Sequence, residues 1–183
     1  MEPADYDRAA CAMLESIDPA VFLAEGGAAA LLDVTGAILK RKGPLLVDSR
    51  AAAAERLLQL LASAQDPNVI DKGREQLRRA WSQLEAAAEA GEDSIDTTPS
   101  LPARVVFPAG TDPSEIENPK ARERAERAAA RHQKAVAIWN ARNRALDHLR
   151  YLAAIVRSLD GDLKASQALL QDVAAELAVD ESR

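Results

Sequence analysis

Residues 118–159 read NPKARERAERAAARHQKAVAIWNARNRALDHLRYLAAIVRSL. After Asn118-Pro119 there is no further proline and no glycine up to Leu159. Asn can cap a helix and Pro suits the first helical position, so a helix start is expected here. Alanine recurs throughout the stretch, and it loses no side-chain entropy in a helix. The stretch therefore reads as one long helix, and it sets the expectation for the whole chain.

The composition outside it agrees. The chain has 183 residues, 39 of them alanine, and only 3% aromatic residues. A core built from these must rely on leucine and on the close approach of Ala-faced helices. The fold class expected is all-α. Asp5 to Ile17 reads as a first helix with Ala9, Ala12, Met13 and Ile17 on its packing side. Asp18-Pro19 starts a short turn that Gly26-Gly27 breaks. Ala28 to Arg41 forms a helix with Leu31, Leu32, Ile38 and Leu39 apolar, and Gly43-Pro44 ends it. Asp48-Ser49 reads as the cap of a helix carrying Leu57, Leu58, Leu60 and Leu61. Asp66-Pro67 starts another, which uses Val69, Ile70, Leu77, Trp81 and Leu84. Gly73 lies inside it, and glycine costs a helix about 1 kcal/mol relative to Ala, so a break is open there.

Residues 92–118 change character, with Pro99, Pro102, Pro108 and Pro113 and acids at Glu92, Asp93 and Asp96. A connector this long is functional or disordered as a rule. Leu101, Val105, Val106 and Phe107 argue that part of it docks on the helices. After the long helix, Asp160-Gly161-Asp162 reads as a tight turn. Residues 163–179 then read as an amphipathic helix with Leu163, Leu169, Leu170, Val173 and Leu177. The expected organisation is an N-terminal helical bundle over 1–91, a proline-rich connector over 92–118, and a long antiparallel helical hairpin over 119–183. All three are expected to pack as one domain.

On a wheel of 100° per residue the long helix divides in two. In its second half Ile138, Ala145, Leu149, Leu152, Ala153 and Val156 form a stripe, with Asn140, Asn143, Arg144, Asp147 and Arg150 facing away. In the first half Lys120, Arg124, Arg127, Arg131 and Lys134 fall within about 40° of one line, a ribbon about 21 Å long. The core face there is Ala121, Ala125, Ala128, His132 and Val136.

Charge makes the ribbon stand out. The chain carries a net −6, yet residues 119–157 hold ten Lys/Arg against three acids. An acidic protein with one basic helix implies internal pairing or an anionic partner. Internal candidates are Glu85, Glu89, Glu92, Asp93, Asp96, Asp172 and Glu176. A solvated face is the plainer explanation, because surface pairs contribute only ~0–1 kcal/mol each. If the ribbon binds, a protein partner with an acidic surface is favoured over nucleic acid, since no aromatic residue interleaves with the cations for base stacking.

Other chemistry is sparse. Cys11 is the single cysteine, which excludes an intrachain disulfide and suits a reducing compartment. His132 and His148 point about 160° apart on one helix and cannot share a metal from it. His132 is expected to be a packed histidine. His148 borders the apolar stripe with no obvious acid to meet. Lys40-Arg41-Lys42 complements the negative end of a helix, which explains it without a ligand. No phosphate-binding glycine loop, zinc-protease motif or nucleophile-elbow motif occurs. No metal, cofactor or catalytic residue is expected. The acidic N-terminus has no apolar run behind it, and no stretch reaches the ~20 apolar residues that span a bilayer. A cytoplasmic protein without a membrane segment is expected.

The run Phe107-Pro108-Ala109-Gly110-Thr111-Asp112-Pro113-Ser114-Glu115-Ile116-Glu117-Asn118-Pro119-Lys120-Ala121-Arg122 resembles a helical module of uncharacterised bacterial proteins. Its pattern is Pro-x-Gly-x-Asp-Pro-x-x-Ile-x-Asp/Asn-Pro, followed by an Arg- and Glu-rich helix with later amides that Asn140 and Asn143 match. The resemblance covers residues 107–143 and implies no activity, so no functional residue follows from it. Three functional readings stand at this point. The leading one is a non-enzymatic helical interaction protein (adaptor, assembly factor or regulator) using the ribbon. The alternatives are nucleic-acid binding through the same ribbon, and an enzyme whose pocket would gather His132 or His148 with acids from other helices. Ala-rich faces also allow a homodimer.

Overall fold

A computed structural model describes residues 2–24, 26–90, 116 and 118–159. The expected connector 92–118 lies almost wholly outside the described residues, and the expected turn and helix at 160–179 lie wholly outside them. The described residues are all-α: α1 Pro3–Glu15, α2 Pro19–Ala24, α3 Ala28–Lys40, α4 Asp48–Ser63, α5 Pro67–Glu89 and α6 Pro119–Leu159. No helix among them is long and apolar enough to cross a membrane.

The core is built on α4. Ala51, Ala52, Ala53 and Ala54 are all buried, as are Leu57, Leu58, Leu60 and Leu61. A helix buried on all sides needs neighbours on all sides; α4 packs against α1, α2, α3, α5 and α6. Four consecutive alanines let those neighbours come close. Leucines 14, 31, 39, 57, 58, 60, 77 and 84 reach at most 1% exposure, and each such side chain contributes about 1.5–3 kcal/mol. The core is thus aliphatic, with Trp81 as its large aromatic member.

α5 is continuous through Gly73. A Cβ at Gly73 would lie 3.0 Å from Leu61 Cδ2 on α4. The glycine is therefore a close-approach site between α4 and α5, not a break. Asp66 caps α5 as expected, its side chain accepting the Asn68 N–H at 2.9 Å. Asn118 caps α6 likewise, with Oδ1 accepting from Lys120 N at 3.0 Å and Ala121 N at 3.3 Å.

Two expectations are corrected. The buried residues of α1 are Asp7, Ala10 and Leu14, while Met13 is 44% exposed. Hydrophobic periodicity could not select that face, because a charged residue sits on it. The reason is found at α4. The cap residue there is Val47, and its side chain makes no capping bond. The Asp7 carboxylate does the capping from α1, accepting from Asp48 N at 3.1 Å and Ser49 N at 2.9 Å, and from the Ser49 hydroxyl. Asp48 and Ser49 thus sit inside the first turn of α4.

Other helix ends are closed in the same way, by side chains from elsewhere in the chain. Arg56 on α4 donates through Nε to Leu14 O at 2.8 Å and through Nη2 to Glu15 O at 3.2 Å, closing α1. Gln83 on α5 donates to Leu39 O at 2.8 Å, closing α3. Arg142 on α6 donates to Ala88 O at 2.9 Å, closing α5. The last carbonyls of a helix have no intrahelical donors, and these bonds satisfy them while fixing which helix lies beside which.

Candidate functional site

α6 has two different halves. Ala141, Ala145, Leu152, Ala153 and Val156 are buried against the rest of the protein, which includes α4 and α5. Arg144 is turned toward α4, although the helical wheel placed it on the outer face. No residue of α6 before Ala141 is fully buried. Ala125, Ala128, His132 and Val136 are half-buried, whereas Ala121 is exposed.

Lys120, Arg124, Arg127, Arg131 and Lys134 are all exposed on this first half. Among the described residues, the acid that pairs with any of them is Glu123, which meets Arg127 one turn along the same helix. Both side chains of that pair are more than half exposed, so its contribution is small. Glu85, one of the internal candidates, accepts the Trp81 indole N–H at 2.8 Å. Glu92, Asp93, Asp96, Asp172 and Glu176 lie outside the described residues.

The second half of α6 forms one wall of a cleft of about 670 Å³ with α1 and the start of α4. Its polar lining includes Arg8, Cys11, Asp48, Asn140, Arg144 and His148. Because Asp7 caps α4, the Asp48 side chain is free to turn toward α6. Its Oδ1 accepts from His148 Nε2 at 3.0 Å and from Arg144 Nε at 3.1 Å. A carboxylate can only accept, so Nε2 carries the proton in this pair. The His148 hydrogen bond holds the Asp48 carboxyl below the usual carboxylate range; burial opposes this, and the Arg144 charge assists it.

Cys11 lines the same cleft, and its thiol donates to Glu15 Oε1 at 3.4 Å. Burial, with the bond to Glu15 second, pushes the thiol pKa up to about 12. The thiolate is the nucleophilic form, so Cys11 is inert near neutral pH. A carboxylate-oriented imidazole can act as a proton acceptor, but the cleft offers it no activated thiol. Among the described residues no three His, Cys, Asp or Glu side chains gather to hold a metal ion.

The Asp48–His148 pair was not legible in the sequence, since the partners are 100 residues apart. The local pattern assigned Asp48 a different task, that of helix cap. No protein-family model, curated protein or solved structure matches the chain.

Proposed function

We propose that this protein is a non-enzymatic helical interaction module that docks an acidic protein surface along Lys120, Arg124, Arg127, Arg131 and Lys134. One observation carries the reading: five cations stand exposed in line, and a single acid among the described residues pairs with any of them. The C-terminal half of the helix supports it mechanically. Buried alanines, the Arg142 bond to Ala88 and the Asp48 contacts anchor that half. The first half is then a helical arm, and its backbone needs no ordering when a partner arrives.

In this reading the chain is a helical bundle with a proline-rich connector, and residues 163–179 return antiparallel to α6 as a hairpin. Seventeen helical residues extend only about 26 Å. A returning helix of that length would end at about the level of residue 142, short of the ribbon. The single cysteine fits an adaptor, assembly factor or regulator of the cytoplasm.

The test is affinity capture by the full chain from host lysate, with and without nuclease, alongside R124E/R127E/R131E. A stoichiometric protein that survives nuclease and is lost with the charge reversal, at unchanged melting temperature, is the expected result. Capture that nuclease abolishes would transfer the ribbon to nucleic acid, and its retention would fall steeply with salt. Capture indifferent to the charge reversal would sink the ribbon altogether.

A second reading has one observation in its favour. The cleft gathers His148 with Asp48 of α4 and with Asp7 of α1, the condition an enzyme of this fold would have to meet. A small-molecule screen reporting on the His148 ring signal tests it. If no compound moves that signal, the cleft is structural.

A further inference from the structure

The part of α6 before Ala141 projects past its neighbours. Arg144 and His148 meet Asp48, the first residue of α4, and Arg142 meets Ala88, next to the end of α5. Residues 119–140 therefore extend beyond both helices, over about 33 Å. Among the described residues, the partly buried apolar side chains of α6 that pack on the core are Leu146, Leu149 and Ile155, and neither Val136 nor Trp139 joins them. Trp139 is 37% exposed, although tryptophan is highly buried on average.

Trp139 does not stand alone. Ala121, Ala125, Ala128, His132, Ala135 and Trp139 follow one another at alternating intervals of four and three residues, and they fall within about 40° of one line. That is the spacing of the inner positions of a coiled coil, whose mean of about 3.5 residues keeps two helices in contact along their length. The seam is about 27 Å long. Its alanines admit a second helix toward the short end of the roughly 8–10 Å between packed helix axes. The helices packed on α6 are α4 and α5, and both stop short of this seam.

The cationic ribbon has the same period and lies to one side. Arg124 and Arg131 border the seam directly, with Lys120, Arg127 and Lys134 one row farther out. On the opposite border Ala129 and Val136 carry no charge, and the Arg122 guanidinium is tied to Ile116 O at 2.8 and 3.0 Å. The surface is thus apolar along its middle and cationic on one flank. A flat acidic surface would satisfy the cations and leave the seam and Trp139 open. An acidic strand repeats its side chains on one face every ~6.7 Å. The cations recur about every 5.3 Å, so a strand falls out of step by about one side chain over the ribbon. A helix with the same repeat stays in step throughout. A second copy of this chain would bring another cationic flank where acids are needed.

We propose that, on the ribbon reading above, the acidic partner surface is a single amphipathic α-helix lying along residues 121–139. Its apolar stripe sits on the alanine seam, and its acids, one heptad apart, face Arg124 and Arg131. Large apolar side chains of the partner fill the shallow holes between the alanines and cover the Trp139 ring. The cations select the partner by charge, and the seam requires it to be helical.

The probe is a synthetic peptide of about three heptads with leucine at both inner positions and glutamate along one flank. It is titrated into the full chain at concentrations where it is monomeric. Trp81 is buried, so the emission that shifts to the blue on docking is that of Trp139, and Trp139→Phe should abolish the shift. A peptide of identical composition, scrambled to break the heptad, should bind at least about tenfold more weakly. A125Q/A128Q keeps every charge and places good helix formers at positions outside the core. It should weaken the patterned peptide at least about tenfold at unchanged melting temperature. Equal binding of the two peptides would overturn the proposal, and so would failure of the patterned peptide to bind. A dimer in light scattering that A125Q/A128Q dissolves would overturn it too, giving the seam to a second copy. Lysate capture separates this inference from the reading it rests on. Capture lost with R124E/R127E/R131E but kept by A125Q/A128Q leaves the ribbon standing and removes the helix. Capture kept by both variants removes both.

Discussion

The carboxylate of Asp7 accepts the backbone N–H of Ser49 at 2.9 Å, so a residue of α1 caps a helix that begins more than forty positions later. Asp7 is 3% exposed, and its other oxygen takes the Asp48 N–H. Asp7→Ala would leave both donors buried without acceptors, at a cost of about 2–4 kcal/mol. Asp7→Asn keeps one carbonyl acceptor and should lose less. Urea unfolding of the two variants checks the order. Equal, sub-kilocalorie losses would mean that water caps α4 instead.

The Asp48 carboxyl should titrate higher once its main partner is gone. Its folded pKa lies below the ordinary value of 3.8, chiefly through the His148 hydrogen bond. In His148→Ala the carboxyl-carbon NMR titration of Asp48 should move up toward 3.8. A folded pKa below the unfolded one contributes stability that is present above the unfolded value and lost as pH falls through the folded value. The stability gap between wild type and Asp48→Asn should therefore close as the pH is lowered from about 4. The pair is about one-third exposed, so added salt should narrow the gap as well.

Cys11 should resist alkylation in the folded protein. With a pKa near 12, the thiolate fraction at pH 8 is on the order of one in ten thousand. Iodoacetamide should modify it at least roughly a hundredfold more slowly than an unfolded cysteine. Glu15→Gln removes a charge that raises the pKa and should speed the reaction. Rates equal to those of the denatured chain would show that the thiol is open and unperturbed.

Gly73→Ala sets two effects against each other. Alanine favours the helix by about 1 kcal/mol, while its Cβ would lie 3.0 Å from Leu61 Cδ2. Overpacking of this kind costs about 1–3 kcal/mol, so a net loss of up to ~2 kcal/mol is expected in thermal unfolding. A net gain would mean that Leu61 moves aside freely.

The sequence is legible where a helix completes itself. Asp66-Pro67 and Asn118-Pro119 announce α5 and α6, and Asp66 and Asn118 make the local caps their positions imply. The wheel also placed Lys120, Arg124, Arg127, Arg131 and Lys134 on one line, and all five are exposed. It is illegible where one segment completes another. Asp7 on the inner face of α1 looks like an error in the hydrophobic pattern until α4 is seen beside it. Asp48 reads as a cap until Asp7 displaces it, and only then can it meet His148. Arg144, assigned by its angle to the outer face, is drawn to the same carboxylate. Each of these depends on contacts 41 or more residues distant in sequence, which no local period encodes.

The borrowed closures also set an order of events for a chain made from its N-terminus. The end of α1 waits for Arg56, the end of α3 for Gln83, and the end of α5 for Arg142. Each of these three ends is sealed by a helix synthesised after it. A nascent chain halted before residue 142 would carry these bonds at the ends of α1 and α3 already and would still lack the Arg142 bond to Ala88 of α5. The last seal to form comes from the same helix that carries the exposed cations.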